Sequence, residues 1–192
     1  LWAVVRTRRY VVLLAASAFF AFMQDAMLEP FGGDVFGLSA GLTTRFTAFW
    51  GIGVLVARIA ALVFTRRLRP DQQVRTTSWG LALLALPLLG LGAVSLTGAE
   101  ALLRPTLVFF GLGFGIFTVG GVSLLMAVNA EEQAGSYLAL WSVVQLVARG
   151  SGIAAGGLVR DVALAVTGEL HLAYAAVFGV EALGLLASIW LL

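Results

Sequence analysis

The sequence predicts an all-α integral membrane protein, a bundle of six transmembrane helices. Three observations predict it. The 192 residues are 60% hydrophobic and only 11% charged, less than half the charged share of a soluble domain. Mean hydropathy is +1.00. Apolar stretches of the length a bilayer requires, about 17–25 residues, recur six times between short polar connections. Stretches this long are helices, because in lipid each backbone N–H and C=O must find its partner within the segment.

The first span is placed at 10–28. Glu29-Pro30 ends it, since the residue before a proline avoids the α region. Gln24, Asp25 and Glu29 then close this helix at its outer end. The second span covers 39–64, with Ser39 as its N-cap. The third lies at 77–96, the fourth at 107–128, the fifth at 136–157 and the sixth at 172–192. The chain opens on Leu1 and closes inside the apolar run Ala187-Ser188-Ile189-Trp190-Leu191-Leu192, so it reads as cropped at both ends.

Orientation follows from arginine in alternate connections. Arg6, Arg8 and Arg9 precede the first span, and Arg66, Arg67, Arg69 and Arg75 join the second to the third. The opposite connections hold only Arg104 and Arg160. The N-terminus is therefore expected in the cytoplasm and the 29–38 loop outside. With twelve arginines, no lysine and a net charge of +2, the basic residues mark topology; they form no nucleic-acid patch. The absence of cysteine excludes disulfides, thiolate nucleophiles and Cys-ligated metals. No Ser-His-Asp set, acid–base carboxylate pair or HExxH helix occurs, so neither an enzyme nor a metal centre is expected. Six helices with a basic loop after the second match half of a transporter architecture in which two six-helix halves meet across a central site. A lone half exposes a polar face for its twin half or another subunit to cover.

Charges within spans are costly and mark candidate functional positions. Asp25 and Glu29 stand four apart on one helix face, and like charges at that spacing repel unless a cation intervenes. Arg45, six residues into the second helix and about 9 Å deep at 1.5 Å per residue, is the nearest cation; the alternative is that it snorkels outward. Arg58 snorkels to the cytoplasmic end. Arg149 and Glu181 each lie about 12–14 Å below the outer surface. Consecutive antiparallel helices would let them meet, which predicts a structural Arg149–Glu181 ion pair, with a proton or ligand relay as the functional alternative. Gly152–Gly156 and Gly111–Gly115 are GxxxG matches whose small residues let helix backbones approach. His171 is the sole histidine, with Glu169 close by in sequence. It reads as an interfacial polar residue, although one imidazole suffices as the axial donor of a magnesium tetrapyrrole.

The stretch Met23-Gln24-Asp25-Ala26-Met27-Leu28-Glu29-Pro30-Phe31-Gly32-Gly33, followed by Val35-Phe36-Gly37-Leu38-Ser39, resembles the MQD-x-x-LEP-[YF]-GG signature of the bacteriochlorophyll delivery family. These PucC- and LhaA-like proteins are a branch of the major facilitator superfamily. Gly111-Leu112-Gly113-Phe114-Gly115, Ala139-Leu140-Trp141-Ser142-Val143-Val144-Gln145 and the GG-x-x-RD run Gly156-Gly157-Leu158-Val159-Arg160-Asp161 are similar to later segments of that family. The resemblance implies the C-terminal half of a twelve-helix chain, in bacterial intracytoplasmic photosynthetic membrane. It implies a role in assembling light-harvesting complexes, by handling bacteriochlorophyll or docking antenna polypeptides. By resemblance Gln24, Asp25, Glu29, Gly32 and Gly33 belong to the outer motif, and Gln145, Arg160 and Asp161 to the fifth-span motif. If bacteriochlorophyll is a cofactor, its axial ligand comes from Glu29, Gln24, Gln145, Asn129 or His171. The expected partners are lipid, antenna polypeptides and the N-terminal half, with no nucleic acid. Two other readings stand beside this one. The first is a secondary transporter moving a small solute by alternating access, and the second a structural subunit of a photosynthetic complex.

Overall fold

The structure is a computed structural model and describes residues 5–65, 70–128 and 134–190. Among these residues all regular structure is helical. The helices are α1 (Val5–Ala21), α2 (Leu28–Phe36), α3 (Ala40–Thr43), α4 (Phe46–Thr65), α5 (Pro70–Thr97), α6 (Leu103–Val128), α7 (Ala134–Thr167) and α8 (Leu170–Ile189). A 3-10 turn at Glu100–Leu102 leads into α6. Among the described residues five helical segments are long and apolar enough to cross a membrane: Ala40–Ala61, Arg75–Thr97, Glu100–Ser123, Leu138–Thr167 and Leu170–Ile189. The first apolar helix, Val11–Ala21, is shorter. The chain is thus a multi-pass helical membrane protein by length and composition.

Two expected boundaries are corrected. The first span does not run unbroken to Leu28: α1 stops at Ala21, residues 22–27 form turns, and α2 resumes at Leu28. Glu29-Pro30 begins a helix here and does not end one. Pro30 occupies the first turn of α2, where a backbone N–H would have no intrahelical acceptor and its loss costs nothing. Glu29 in that turn faces the positive end of the helix dipole. The fifth span does not stop at Gly157 but continues helically to Thr167, through Arg160 and Asp161. Ser39 does hold the N-cap position of α3, through its backbone carbonyl, with no side-chain cap bond.

α6 lies between α4 and α5; α5 packs in turn on α8, and α1 on both α7 and α8. The buried stripes follow helical spacing: Leu81, Leu84, Leu88 and Leu91 on α5, Leu103, Leu107 and Phe110 on α6, and Tyr174, Val177, Phe178 and Leu185 on α8. Glycine sets the close approach of α4 to α6. A Cβ at Gly115 would stand 2.6 Å from that of Ala57, and one at Gly111 would strike the Trp50 carbonyl. The bundle's edge helices leave apolar side chains uncovered, among them Leu55 and Ile59 on α4 and Leu146, Val147 and Val166 on α7. Apolar faces of this extent are for lipid or another protein.

Candidate functional site

The break in the first helix organises the site. Across residues 22–27 several backbone bonds shorten to three-residue steps, Asp25 N–H to the Phe22 carbonyl at 3.2 Å and Met27 N–H to that of Gln24 at 2.8 Å. The Gln24 N–H finds no backbone acceptor. Instead it donates to Oε1 of Glu181 at 2.6 Å. Glu181 is completely buried, midway along α8. A backbone donor freed within a membrane bundle must be re-satisfied by protein, and the deep acid of α8 serves that purpose. The Gln24 side chain is buried too, its Nε2 donating to the Ala21 carbonyl at 3.1 Å.

The next residue carries the ion pair. Arg149 Nε donates to Asp25 Oδ2 at 3.0 Å, and Arg149 Nη2 contacts the same oxygen. The guanidinium carbon also sits 4.9 Å from the centre of the Phe22 ring, a cation–π arrangement. The expected Arg149–Glu181 pair is therefore corrected: Arg149 takes Asp25, and Glu181 takes the Gln24 backbone. The cause is the break. In an unbroken helix the Gln24 N–H would bond four residues back, and Glu181 would face α1 without a donor.

Placing Gln24 against Glu181 also moves the motif away from the end of the helix. The segment from Phe20 to Asp34 runs antiparallel to α8 in continuous register. The Phe20 ring lies against Gly184, and Gln24 bonds Glu181. Phe31 packs on Phe178 and Tyr174 with ring centres 5.1 and 5.3 Å apart. The Tyr174 hydroxyl donates to Asp34 Oδ2 at 2.6 Å. Arg160 lies near Tyr174 and donates from Nε to Asp161 Oδ1 at 3.0 Å. Tyr174 thus ties Asp34 of α2 to α8, with the Arg160-Asp161 motif of α7 nearby. Neither Tyr174 nor Asp34 was singled out from sequence; a tyrosine in an apolar run, whose hydroxyl must find a partner when buried, was the available signal.

The glycines divide by role. Cβ atoms at Gly152 and Gly156 would collide with the Phe19 and Met23 carbonyls, so this GxxxG face seats α7 directly on α1 and on the break. Gly157, its neighbour, faces open space. A Cβ at Gly32 would come within 2.6 Å of Thr43 and Phe46, whereas one at Gly33 would meet only the Leu38 carbonyl at 3.8 Å.

Other expected residues stand apart from this centre. Glu29 is exposed and Gln145 half-buried on α7. Arg45 is exposed and makes no ion pair with Asp25 or Glu29; it lines a recess of about 80 Å³ with Glu100 and Arg104. His171 Nε2 lies 2.9 Å from Glu169 Oε2. Asn129 falls outside the described residues. No group of three or more His, Asp or Glu side chains that could hold a metal ion occurs among the described residues. Two open apolar grooves flank the bundle. One, of about 490 Å³, lies between α1 and α7 beside Ala15, Phe19, Val144, Val147 and Ser151. The other, about 440 Å³, is formed by Ala60, Leu83, Phe109, Leu112 and Ile116.

The family model described as PUCC protein matches residues 2–192. The chain belongs to this family. It is 36% identical over 143 residues to "Protein PucC" of Cereibacter sphaeroides, covering 73% of this chain and 30% of that protein. Over 173 residues it is 34% identical to the "Uncharacterized protein in puhA-bchM intergenic region" of Rhodobacter capsulatus, 85% of this chain and 35% of that one. It is also 29% identical over 188 residues to the "Bacteriochlorophyll synthase 44.5 kDa chain" of Rhodobacter capsulatus, 95% of this chain and 43% of that one. The chain thus spans less than half the length of these relatives. No solved structure matches it.

Proposed function

We propose that this PUCC-family chain is part of a membrane assembly factor for bacterial light-harvesting complexes, and that it docks antenna polypeptides and meets bacteriochlorophyll through apolar surface. The observation that carries the reading is the family match along nearly the whole chain. It is supported by a relative whose name ties it to bacteriochlorophyll and by the two hydrocarbon-lined grooves, which suit an apolar helix or a flat pigment. The residues present do not fit a complete pigment site. Neither groove is lined by Gln24, Glu29, Gln145 or His171, Gln24 is enclosed, and His171 is engaged by Glu169. In this proposal the axial donor comes from the docked polypeptide, and this chain contributes hydrocarbon contact.

The finer placement is part of the same proposal. The chain is the C-terminal half of a major-facilitator-type protein in intracytoplasmic photosynthetic membrane, its N-terminus is cytoplasmic, and it is not an enzyme. As this 192-residue sequence has no cysteine of its own, single cysteines at Gly33 and Arg67 are the only thiols within it to be labelled. Labelling of Gly33→Cys but not Arg67→Cys from outside is expected, and the reverse pattern would invert the topology. For function, full-length protein purified from pigmented membranes should carry antenna polypeptide, with bacteriochlorophyll absorbance that disappears when the polypeptide is removed. Purification free of both would overturn the proposal.

One feature favours the alternative of secondary transport. Discontinuous helices form the binding sites of many transporters and intramembrane acids mark ion paths; here the 22–27 break faces Glu181. Solute flux in vesicles that is lost on substituting Glu181 would support transport in place of assembly.

A further inference from the structure

The break and α8 leave two buried polar atoms without hydrogen-bond partners, Gln24 Oε1 and Glu181 Oε2. They belong to residues already joined by the Gln24 N–H bond to Glu181 Oε1. Amide orientation does not relieve the shortage, because Gln24 Nε2 is held by the Ala21 carbonyl, which would lose its donor if the amide turned over. An ionised Glu181 offers only acceptors, and so does Gln24 Oε1. What both lack is a donor.

Charge counting points the same way. The elements packed on α8 bring few ionisable groups toward Glu181. From the break comes Asp25, and from α7 Arg149, which are paired with each other. α7 also carries Arg160 and Asp161, bonded to one another. α2 contributes Asp34, engaged by the Tyr174 hydroxyl, and an exposed Glu29. α5 has no charged residue from Thr76 to Thr97. α8 itself adds only His171 and Tyr174, and His171 lies at its first turn beside Glu169. Asp25 with Arg149 is neutral as a pair, so an ionised Glu181 would be an uncompensated charge in a wholly buried position. A metal ion in its place would need several oxygen ligands, and the carbonyls of Ala21, Phe22 and Gln24 are already accepting bonds. One proton needs a single oxygen to sit on.

We infer that Glu181 is a proton-binding site: the carboxyl is held neutral, accepting from the Gln24 backbone at Oε1 while its Oε2 hydroxyl supplies the donor that Gln24 Oε1 lacks. The bound proton locks the broken segment onto α8, and its release leaves a buried anion that drives the two apart. This inference does not depend on the assembly role, because the site is read from the bundle's own hydrogen bonding.

The test is infrared difference spectroscopy of the full-length protein in lipid nanodiscs from acidic to alkaline pH, wild type against Glu181→Gln. Glutamine reproduces the acceptor and the donor of the neutral acid but cannot lose the proton. A carboxylic-acid C=O band at neutral pH is expected in the wild type, absent from Glu181→Gln and retained in Asp25→Asn. Should Glu181→Gln fail to fold, wild type grown on isotope-labelled glutamate must show the same band shifted by the label. The melting temperature of the wild type is expected to fall from neutral to alkaline pH more than that of Glu181→Gln. Absence of an acid band, or equal falls for the two proteins, would overturn the assignment.

Discussion

Gly156 and Gly157 are adjacent residues in one helix, yet the structure predicts opposite outcomes for the same substitution. Both lie inside α7, so exchange to alanine removes a glycine penalty of about 0.8–1 kcal/mol in each case. At Gly157 a Cβ would enter open space, and the variant should gain roughly that amount. At Gly156 the Cβ would collide with the carbonyl of Met23. That oxygen is backbone and cannot swing aside like the end of a side chain, so α7 must move off the break. Forced overpacking of this kind costs about 1–3 kcal/mol. The helix-propensity gain is common to both variants and cancels in their difference, which should therefore be about 1–3 kcal/mol in favour of Gly157→Ala. Reversible unfolding in mixed micelles measures that difference directly. A second reading is available in the same samples, since displacement of α7 pulls Arg149 from Asp25 and should expose the break to proteolysis in Gly156→Ala alone. Equal stability of the two variants, within about 0.5 kcal/mol, would refute the argument that α7 seats on the Met23 carbonyl, because distant packing effects are no larger than that.

Asp25→Asn and Arg149→Gln should each destabilise the protein, and the double variant should lose less than their sum. Because the two residues share a hydrogen-bonded ion pair, the coupling in a double-mutant cycle is expected at about 0.5–3 kcal/mol. Additive losses would dissociate the two residues. Tyr174→Phe removes the hydroxyl that donates to Asp34 while keeping the ring against Phe31, so a loss of about 1 kcal/mol is expected; no change in unfolding free energy would mean that bond is idle. Phe31→Ala empties a fully buried ring site against Phe178 and Tyr174, for which a loss of about 3–5 kcal/mol is expected in the same unfolding assay.

What was legible in the sequence follows from which signals are local. Apolar length located the cores of five spans, because the bilayer imposes that length on any helix that crosses it. The glycine spacing of 152 and 156 announced a close backbone approach, though not its partner. The break at 22–27 was hidden: Phe22, Met23, Ala26 and Met27 are ordinary helix residues in an apolar run, and Pro30 drew attention to the wrong boundary. Only the tertiary partner, Glu181 on a helix far along the chain, makes the unwound turn tolerable. The same non-local bond misdirected the charge pairing. Reasoning from neighbouring helices matched Arg149 with Glu181 by depth, but depth counted from an end at Gly157 shifts when α7 runs on to Thr167. The extension of α7 was missed for a related reason: Gly156-Gly157 resembles a terminator when its packing role is unseen.

The register along α8 gives the two sequence motifs a single physical meaning. Gln24 and Asp25 touch α8 and α7 at the break, while Asp34 accepts from the Tyr174 hydroxyl further along α8. Between these polar points lie Phe31, Phe178 and the α2 backbone, packed without a polar partner. Polar contacts at both ends of an apolar stretch fix rotation and sliding of the broken segment together, since either motion would strand at least one buried donor or acceptor. A continuous apolar helix would pack with similar burial in several rotations, and hydrophobic contact alone does not choose among them. Gln24, Asp25 and Asp34 therefore act first on the conformation of this chain. Any surface it offers to a partner, including the groove between α1 and α7, inherits its shape from that fixed register.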